Sequence, residues 1–223
     1  MSDFEIQRLN MVESQVRTSD VTDRRIIAAM MRVPREEFVP ASVRPLAYMD
    51  QDLMVRAPLG DLPERSMLAP MVFAKLVQLA GIEAGDLVLD VGCATGYSTA
   101  ILAELAESVV GLEGDEALSE RASATLAEQG VDNSAIVAGA LREGRADQGP
   151  YDVIVLEGRV PEVPETYRDQ LKDGGRLVAI VGDRPLGKAM RFVRHGDAWS
   201  CQADFDATAP ELAGFERVEK FVF

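Results

Sequence analysis

The spacing of apolar positions along the chain changes near residue 80, and two regions follow from the change. In the first, Glu5 to Val16 and Asp23 to Met31 carry apolar residues at helical spacing, which predicts two helices, the second capped by Asp20 or Thr22 and closed by Pro34. Residues 40–70 are punctuated by proline and predict an irregular stretch, while Tyr48, Leu53, Met54 and Val55 within it favour an ordered loop with a function. From Ala69 the pattern is regular. It predicts a helix through Leu79, a turn at Glu83-Ala84-Gly85, and in Leu87 to Val91 a short apolar run of the kind buried on both faces of a parallel sheet. A helix from Tyr97 to Leu105, a strand from Ser108 to Leu112, a helix from Asp115 to Gln129 stopped by Gly130, and a strand from Ala135 to Ala138 follow. A strand at Tyr151 to Leu156, a helix at Pro164 to Leu171, a turn at Gly174-Gly175 and a strand at Arg176 to Val181 complete the series. Such alternation predicts an α/β fold with a parallel, doubly wound sheet whose ligand site lies at the carboxyl ends of the strands. Residues 188–223 read as strands joined by turns, an antiparallel addition at the sheet edge.

Composition narrows the partners. At 223 residues and 47% hydrophobic content the chain can build one sizeable core. Its 23 basic and 37 acidic residues leave a formal charge of −14, which repels phosphate backbones and anionic lipid, so neither nucleic acid nor a membrane surface is an expected partner. Arg17, Arg24, Arg25, Arg32 and Arg35 cluster but alternate with acids, and read as a solvated helix face. Cys93 and Cys201 are far apart and suggest neither a disulfide nor a zinc site, which fits a reducing cytoplasm. Met1-Ser2-Asp3-Phe4-Glu5 has no basic start leading into an apolar run, and no stretch approaches the ~20 apolar residues of a membrane span, so export and insertion are not expected. The single histidine, His195, sits beside Gly196-Asp197 in a predicted hairpin turn, which argues against a histidine triad or a histidine-rich metal centre; no metal is expected.

The chemistry concentrates in the loop after the first parallel strand, Asp90-Val91-Gly92-Cys93-Ala94-Thr95-Gly96-Tyr97, where two glycines allow tight turning and close approach of a ligand. Its spacing is G-x-x-x-G, with Ala94 where a dinucleotide fingerprint has glycine, and this lowers a dehydrogenase reading. Gly96 is followed by Tyr97-Ser98 and not by the lysine of a phosphate-cradling loop, which disfavours an ATPase. Glu113 stands 21 positions after Gly92 at the end of the second parallel strand, where an acid can accept both hydroxyls of a ribose. Asp90 is placed to hold the ammonium of an amino-acid moiety. Cys93 reads as a small residue under a backbone turn and not as a nucleophile.

Over nearly its whole length the sequence resembles the protein-L-isoaspartate O-methyltransferase family. Met11-Val12-Glu13-Ser14-Gln15 and Arg32-Val33-Pro34-Arg35-Glu36-Glu37-Phe38-Val39-Pro40 look like its N-terminal signature, and Ala47-Tyr48-Met49-Asp50 looks like its A-Y-x-D. The loop V-G-C-A-T-G-Y is similar to the family's glycine loop, and residues 169–178 match the segment before its fifth strand. The resemblance implies a Rossmann-like, mostly parallel sheet with an antiparallel C-terminal edge and an N-terminal helical extension, divided as residues 1–68 for the extension with its substrate loop and 69–223 for the methyltransferase domain. It implies S-adenosyl-L-methionine as donor, S-adenosyl-L-homocysteine as product, and a peptide or protein bearing isoaspartate as acceptor. Carried over position by position, it assigns cofactor contacts to Asp90, Gly92, Cys93, Ala94, Thr95, Gly96, Tyr97 and Glu113, and to Gly139, Ala140, Leu141 and Glu157 after the next strands. It assigns a catalytic role to Ser66 and substrate contacts to Tyr48, Asp50, Leu68 and Pro70. The missing histidine is compatible, because a carboxylate of pKa ~4 is already ionised at neutral pH and attacks a methyl sulfonium without a general base.

Three departures bear on the acceptor. The family's T-I-S-x-P corresponds to Ser66-Met67-Leu68-Ala69-Pro70, so its second hydroxyl position is Leu68. The glycine-rich run before it is replaced by Gly60-Asp61-Leu62-Pro63-Glu64-Arg65, which reshapes the lip of the acceptor pocket. The family's G-D-G corresponds to Gly139-Ala140-Leu141, which removes a polar contact near the adenine, and Glu157-Gly158 replaces a pair of small residues. Alongside isoaspartyl methylation, these departures leave open a methyltransferase with a different small-molecule or protein acceptor, or a cofactor-binding homologue without repair activity.

Overall fold

The computed structural model describes residues 2–60 and 62–216. Helix α1 (Asp3–Met11) begins at a reciprocal cap, in which the Ser2 hydroxyl accepts from the Glu5 amide and the Glu5 carboxylate accepts from the Ser2 amide. It runs on through a π-helical turn (Val12–Val16) and a 3-10 turn (Arg17–Ser19). The cap of α2 (Arg24–Arg32) is Asp23, which accepts from the Arg25 amide at 2.8 Å, and not Asp20 or Thr22. Asp20 has turned left-handed, at φ +63°, to end the preceding helical run and is spent there. Pro34 follows the stop at Arg32 as expected. The proline-rich stretch holds two short strands, β1 (Leu53–Arg56) and β2 (Arg65–Met67), paired antiparallel. Tyr48, Leu53 and Val55 are buried within it, whereas Met54 is exposed.

The alternating region gives α3 (Pro70–Ala80), β3 (Leu87–Val91), α4 (Tyr97–Ala103), β4 (Ser108–Glu113), α5 (Glu116–Glu128), β5 (Ser134–Ala138), β6 (Tyr151–Val160), α6 (Thr166–Asp169), β7 (Leu171–Val181), β8 (Leu186–His195) and β9 (Ala198–Thr208). The last seven strands form one sheet in the order β5-β4-β3-β6-β7-β8-β9, parallel through β7 and antiparallel at the β8 and β9 edge. This is the expected α/β class. The strand order reverses at β3, so the carboxyl ends of β3, β4 and β6 converge on one crevice.

Two boundaries differ from the pattern. The helix expected over 164–171 is only the four-residue α6, because Leu171 pairs with Tyr151 and is buried as the first residue of β7. Gly174-Gly175 is a bulge inside β7, between the register pairs Tyr151↔Leu171 and Val153↔Arg176. The β8–β9 hairpin turns at Gly196, whose φ of +60° suits glycine, as the His195-Gly196-Asp197 signal predicts. Residues 209–216 lie outside the sheet apart from a bridge between Glu211 and Arg159, so the strands expected through 188–223 end at Thr208 among the described residues, and 217–223 fall outside them.

Successive strand residues supply two apolar cores. Val88, Val153, Val155 and Val178 face the one formed with α1 to α4, while Leu89, Ile154, Leu156 and Leu177 face the one closed by Tyr167, Leu212 and Phe215. Burial on both faces explains the unbroken apolar runs of these strands. Among the described residues no helix is long and apolar enough to cross a membrane.

One side chain of α3, Gln78, holds the loop between the first two helices. Gln78 Oε1 accepts from the Thr22 and Asp23 amides at 2.7 and 3.1 Å, and its Nε2 donates to the Asp20 carbonyl at 2.9 Å. Gln78→Ala hands these exposed and half-buried groups back to water, and urea unfolding is expected to report a loss of about 0.5–1.5 kcal/mol. An unchanged midpoint would show that the contact contributes nothing.

Candidate active site

The loop leaving β3 turns through three left-handed residues, Gly92 (φ +81°), Ala94 (φ +50°) and Gly96 (φ +91°). The Gly92 and Cys93 amides donate to the Leu112 carbonyl at 2.8 and 3.3 Å, which fixes the loop against β4. At Gly96 the backbone passes α5 so closely that a Cβ would stand 3.3 Å from Ala122 and Leu126. The left-handed backbone is what favours glycine there, and an added Cβ would also press on the two side chains. Thr95 is fully buried and its hydroxyl meets the Met67 sulfur at 3.5 Å.

Two acids are buried beside this loop. Asp90 Oδ2 accepts from the Ser98 and Thr99 hydroxyls at 2.7 and 2.6 Å, whereas Asp90 Oδ1 and Glu157 Oε1 have no hydrogen-bond partner among the described residues. Burial pushes the Asp90 carboxyl up to about 7 against the pull of Thr99 and Ser98, and the Glu113 charge adds to the rise. Burial, followed by the charge of Asp90, likewise raises Glu157 well above the carboxylate range. Burial also raises the Cys93 thiol well above its ordinary value, so it is packing and not a nucleophile, as its position in the loop suggests.

Glu113 is gripped from three sides. Its Oε2 accepts from the Ala94 amide and Arg65 Nη2, both at 2.8 Å, and its Oε1 accepts from the amides of Gly114 (2.9 Å) and Asp115 (3.2 Å) and from Arg65 Nε (3.2 Å). Across the β1–β2 pair from Arg65, Arg56 makes an ion pair with Asp115 at 2.9 Å. The two arginines thus clamp β1 and β2 onto the turn between β4 and α5. Glu113, Gly139, Ala140 and Leu141 line one cavity of about 260 Å³ with Arg56 and Arg65.

Ser66, Leu68, Gly92, Ala94, Tyr97 and Glu157 line a second, much tighter space of about 10 Å³. Arg35 also reaches it. The side chain expected on a solvated face is instead only 1% exposed, donates to the Ala47 and Leu68 carbonyls at 2.8 Å each, and lies 4.7 Å over the Tyr97 ring. Arg17, Arg24, Arg25 and Arg32 do face solvent. Buried carbonyls and a ring face account for the exception, since a guanidinium is weakly hydrated and presents its donors in a rigid plane. Three predicted substrate residues stand apart from this space. The Tyr48 hydroxyl donates to Glu36 and accepts from Arg8 Nε at 3.0 Å, Asp50 accepts from the Met71 amide at 3.2 Å, and Pro70 is the buried first residue of α3. Arg35 and Arg65 are the site residues that pattern reasoning passed over; for Arg65 the available signal was its place in the run that replaces the family's glycines.

A glycine loop, a strand-end acid and buried carboxylates meeting at a topological switch point form a nucleoside-binding arrangement. Residues 7–208 match the family described as Protein-L-isoaspartate(D-aspartate) O-methyltransferase. The chain belongs to this family. A protein-L-isoaspartate O-methyltransferase from Methanoculleus marisnigri is 37% identical over 188 residues, 84% of this chain and 83% of that one. Another from Rhodopseudomonas palustris is 38% identical over 189 residues, 84% of each chain. A solved protein-L-isoaspartate O-methyltransferase superposes with a TM-score of 0.80 at 26% identity, covering 93% of this chain and 67% of that one. A Plasmodium falciparum structure, solved in complex with S-adenosyl-L-homocysteine, shares the fold with a TM-score of 0.76 at 17% identity, covering 96% of this chain and all of that one.

For this member of the methyltransferase family the raised acids have a measurable consequence. Below pH ~4 Asp90 is protonated in folded and unfolded chains alike; from there to about 7 the unfolded chain loses the proton first, so folding stability falls as pH rises through that window. Asp90→Asn cannot titrate. Urea titrations at several pH values between 5 and 7.5 are expected to show the unsubstituted protein losing stability relative to the variant, and a constant difference would refute the raised carboxyl.

Proposed function

We propose that this chain methylates the carboxylate of L-isoaspartyl residues in peptides and proteins, with S-adenosyl-L-methionine as donor. The observation that carries the donor is the pair of orphaned buried oxygens, Asp90 Oδ1 and Glu157 Oε1, beside the Gly92–Gly96 loop. An unsatisfied buried carboxylate is costly, and a ligand with a cationic amino-acid end would relieve both. Asp90 and Glu157 would hold that end, the loop backbone would lie along the ligand, and Glu113 would take the ribose hydroxyls. The residues present therefore fit the donor's chemistry. When bound, S-adenosyl-L-methionine supplies a methyl on a sulfonium, which passes to a carboxylate oxygen as the C–S electron pair stays on sulfur and an ester forms.

The acceptor side would be formed by β2 and the link from it to α3. The Ser66 hydroxyl would orient the attacking carboxylate, and the buried Arg35 guanidinium supplies positive charge to the same space. No proton has to be removed, so the catalytic requirement is alignment and exclusion of water. Leu68, where the family has a hydroxyl, weakens the hold on a carboxylate and makes the reaction slower here than with the hydroxyl present.

Labelled donor with matched isoaspartyl and aspartyl peptides tests the reading, with label expected on the isoaspartyl peptide alone. Equal label on both would favour a different acceptor. Leu68→Ser is expected to raise the isoaspartyl rate by roughly 10-fold, the worth of one hydrogen bond to a charged group, and an unchanged rate would remove Leu68 as the deciding position.

A further inference from the structure

We propose that Arg65 and Leu212 are an internal competitor for the cofactor cleft, so that the donor binds only by displacing them. The inference rests on the donor reading above. Glu113, the acid placed to hold a ribose, has no acceptor capacity left: a carboxylate offers about four lone-pair positions, and five N–H contacts already converge on it, two of them from Arg65. The pair is withdrawn from water, with the Arg65 and Glu113 side chains 4% and 1% exposed.

The open side of Gly92 is covered in the same way. A Cβ built there would stand 2.5 Å from Leu212 Cδ1 and 3.0 Å from Arg65 Nη2, so the face a glycine keeps free for a ligand is filled by this chain's own side chains. Leu212 is held in place by the end of β6. Its amide donates to the Arg159 carbonyl at 2.8 Å, the Arg159 amide donates to the Pro210 carbonyl at 2.8 Å, and Arg159 pairs with Glu211 at 3.2 Å. Phe215 anchors the far end by stacking on Tyr167 with centroids 6.3 Å apart. The crevice is thereby divided. On the Ser66 and Glu157 side about 10 Å³ remains, near the size of one water, while about 260 Å³ lies beyond Arg65 beside Leu141. An adenosyl amino acid needs both parts at once, and Arg65 with Leu212 stands where they would join.

Calorimetric titration of the full chain with S-adenosyl-L-homocysteine tests this. Arg65→Gln, which ends the ion pair, and Leu212→Ala, which keeps it and opens the other half of the barrier, are each expected to bind about tenfold more tightly than the unsubstituted protein, the factor by which a competing closed state lowers apparent affinity. Leu212→Ala guards against misfolding caused by leaving Glu113 buried without its cation. Hydrogen exchange on the unsubstituted protein gives a second readout, because saturating ligand is expected to lower protection of the Arg159 and Leu212 amides. Equal affinity in all three proteins, or increased protection of those amides, would overturn the competitor while leaving the donor reading intact. Absence of binding by any of the three would overturn the donor reading itself.

Discussion

The carboxylate of Glu113 holds together three segments that the chain delivers from different directions. Its oxygens take amides from the loop after β3 and from the turn before α5, and the guanidinium of Arg65 from the strand pair in the N-terminal region. The β-α-β framework brings the first two within reach, since β3 and β4 are neighbours in parallel register. The third requires a charge to cross from one structural region to another. Because this carboxylate is withdrawn from water, its charge must be met by donors wherever they come from, and the position of β1 and β2 follows from that demand.

Asp90, Glu113 and Glu157 crowd three carboxyl groups into a small buried volume of a chain that is already at −14. Among the described residues, Glu113 is the one of the three with a cation in direct contact. The other two are held in part by hydroxyls or by nothing, and their raised pKa values record the cost. Such an arrangement favours a positively charged group over a neutral or negative one. Ser66 and the buried Arg35 line the same tight space as Glu157, so a hydroxyl, a cation and an acid meet there. Opposite charges that close together can orient a cationic and an anionic group relative to one another.

The parallel core was legible because strands covered on both faces are apolar at every position, as in Leu87 to Val91, and because Gly130 and Gly196 stand where a helix and a hairpin must turn. The loop from Gly92 to Gly96 was legible for a related reason: left-handed backbone leaves its mark in glycine. What escaped depended on tertiary partners. Leu171 continues the helical spacing of Tyr167 but is claimed by pairing with Tyr151. Arg35 sits among exposed arginines in sequence and is buried by carbonyls 12 and 33 positions away. Arg65 meets its partner 48 positions on. Residues 209–216 carry no periodicity at all, and their role comes from the sheet end they cover.

The energetics of the Arg65–Glu113 contact decide whether a self-filled crevice is an obstacle or a threshold. The gross attraction in such a pair is large, but so is the hydration each charge gives up, and the net contribution of a buried pair is often close to zero. Removing one partner outright is different, because the remaining charge is stranded at a cost of about 3–5 kcal/mol. Ligand binding resembles neither limit. Arg65 leaving Glu113 returns to water and recovers its hydration, while ribose hydroxyls can donate to the oxygens it releases, so neither charge is stranded. What remains is the loss of one charge-assisted contact and of the packing of Leu212, on the order of 1–3 kcal/mol, or roughly 5- to 150-fold in affinity. A threshold of that size leaves the donor able to enter at concentrations above its weakened dissociation constant. It also links entry to movement of 209–215, which covers the same end of the sheet as the acceptor space.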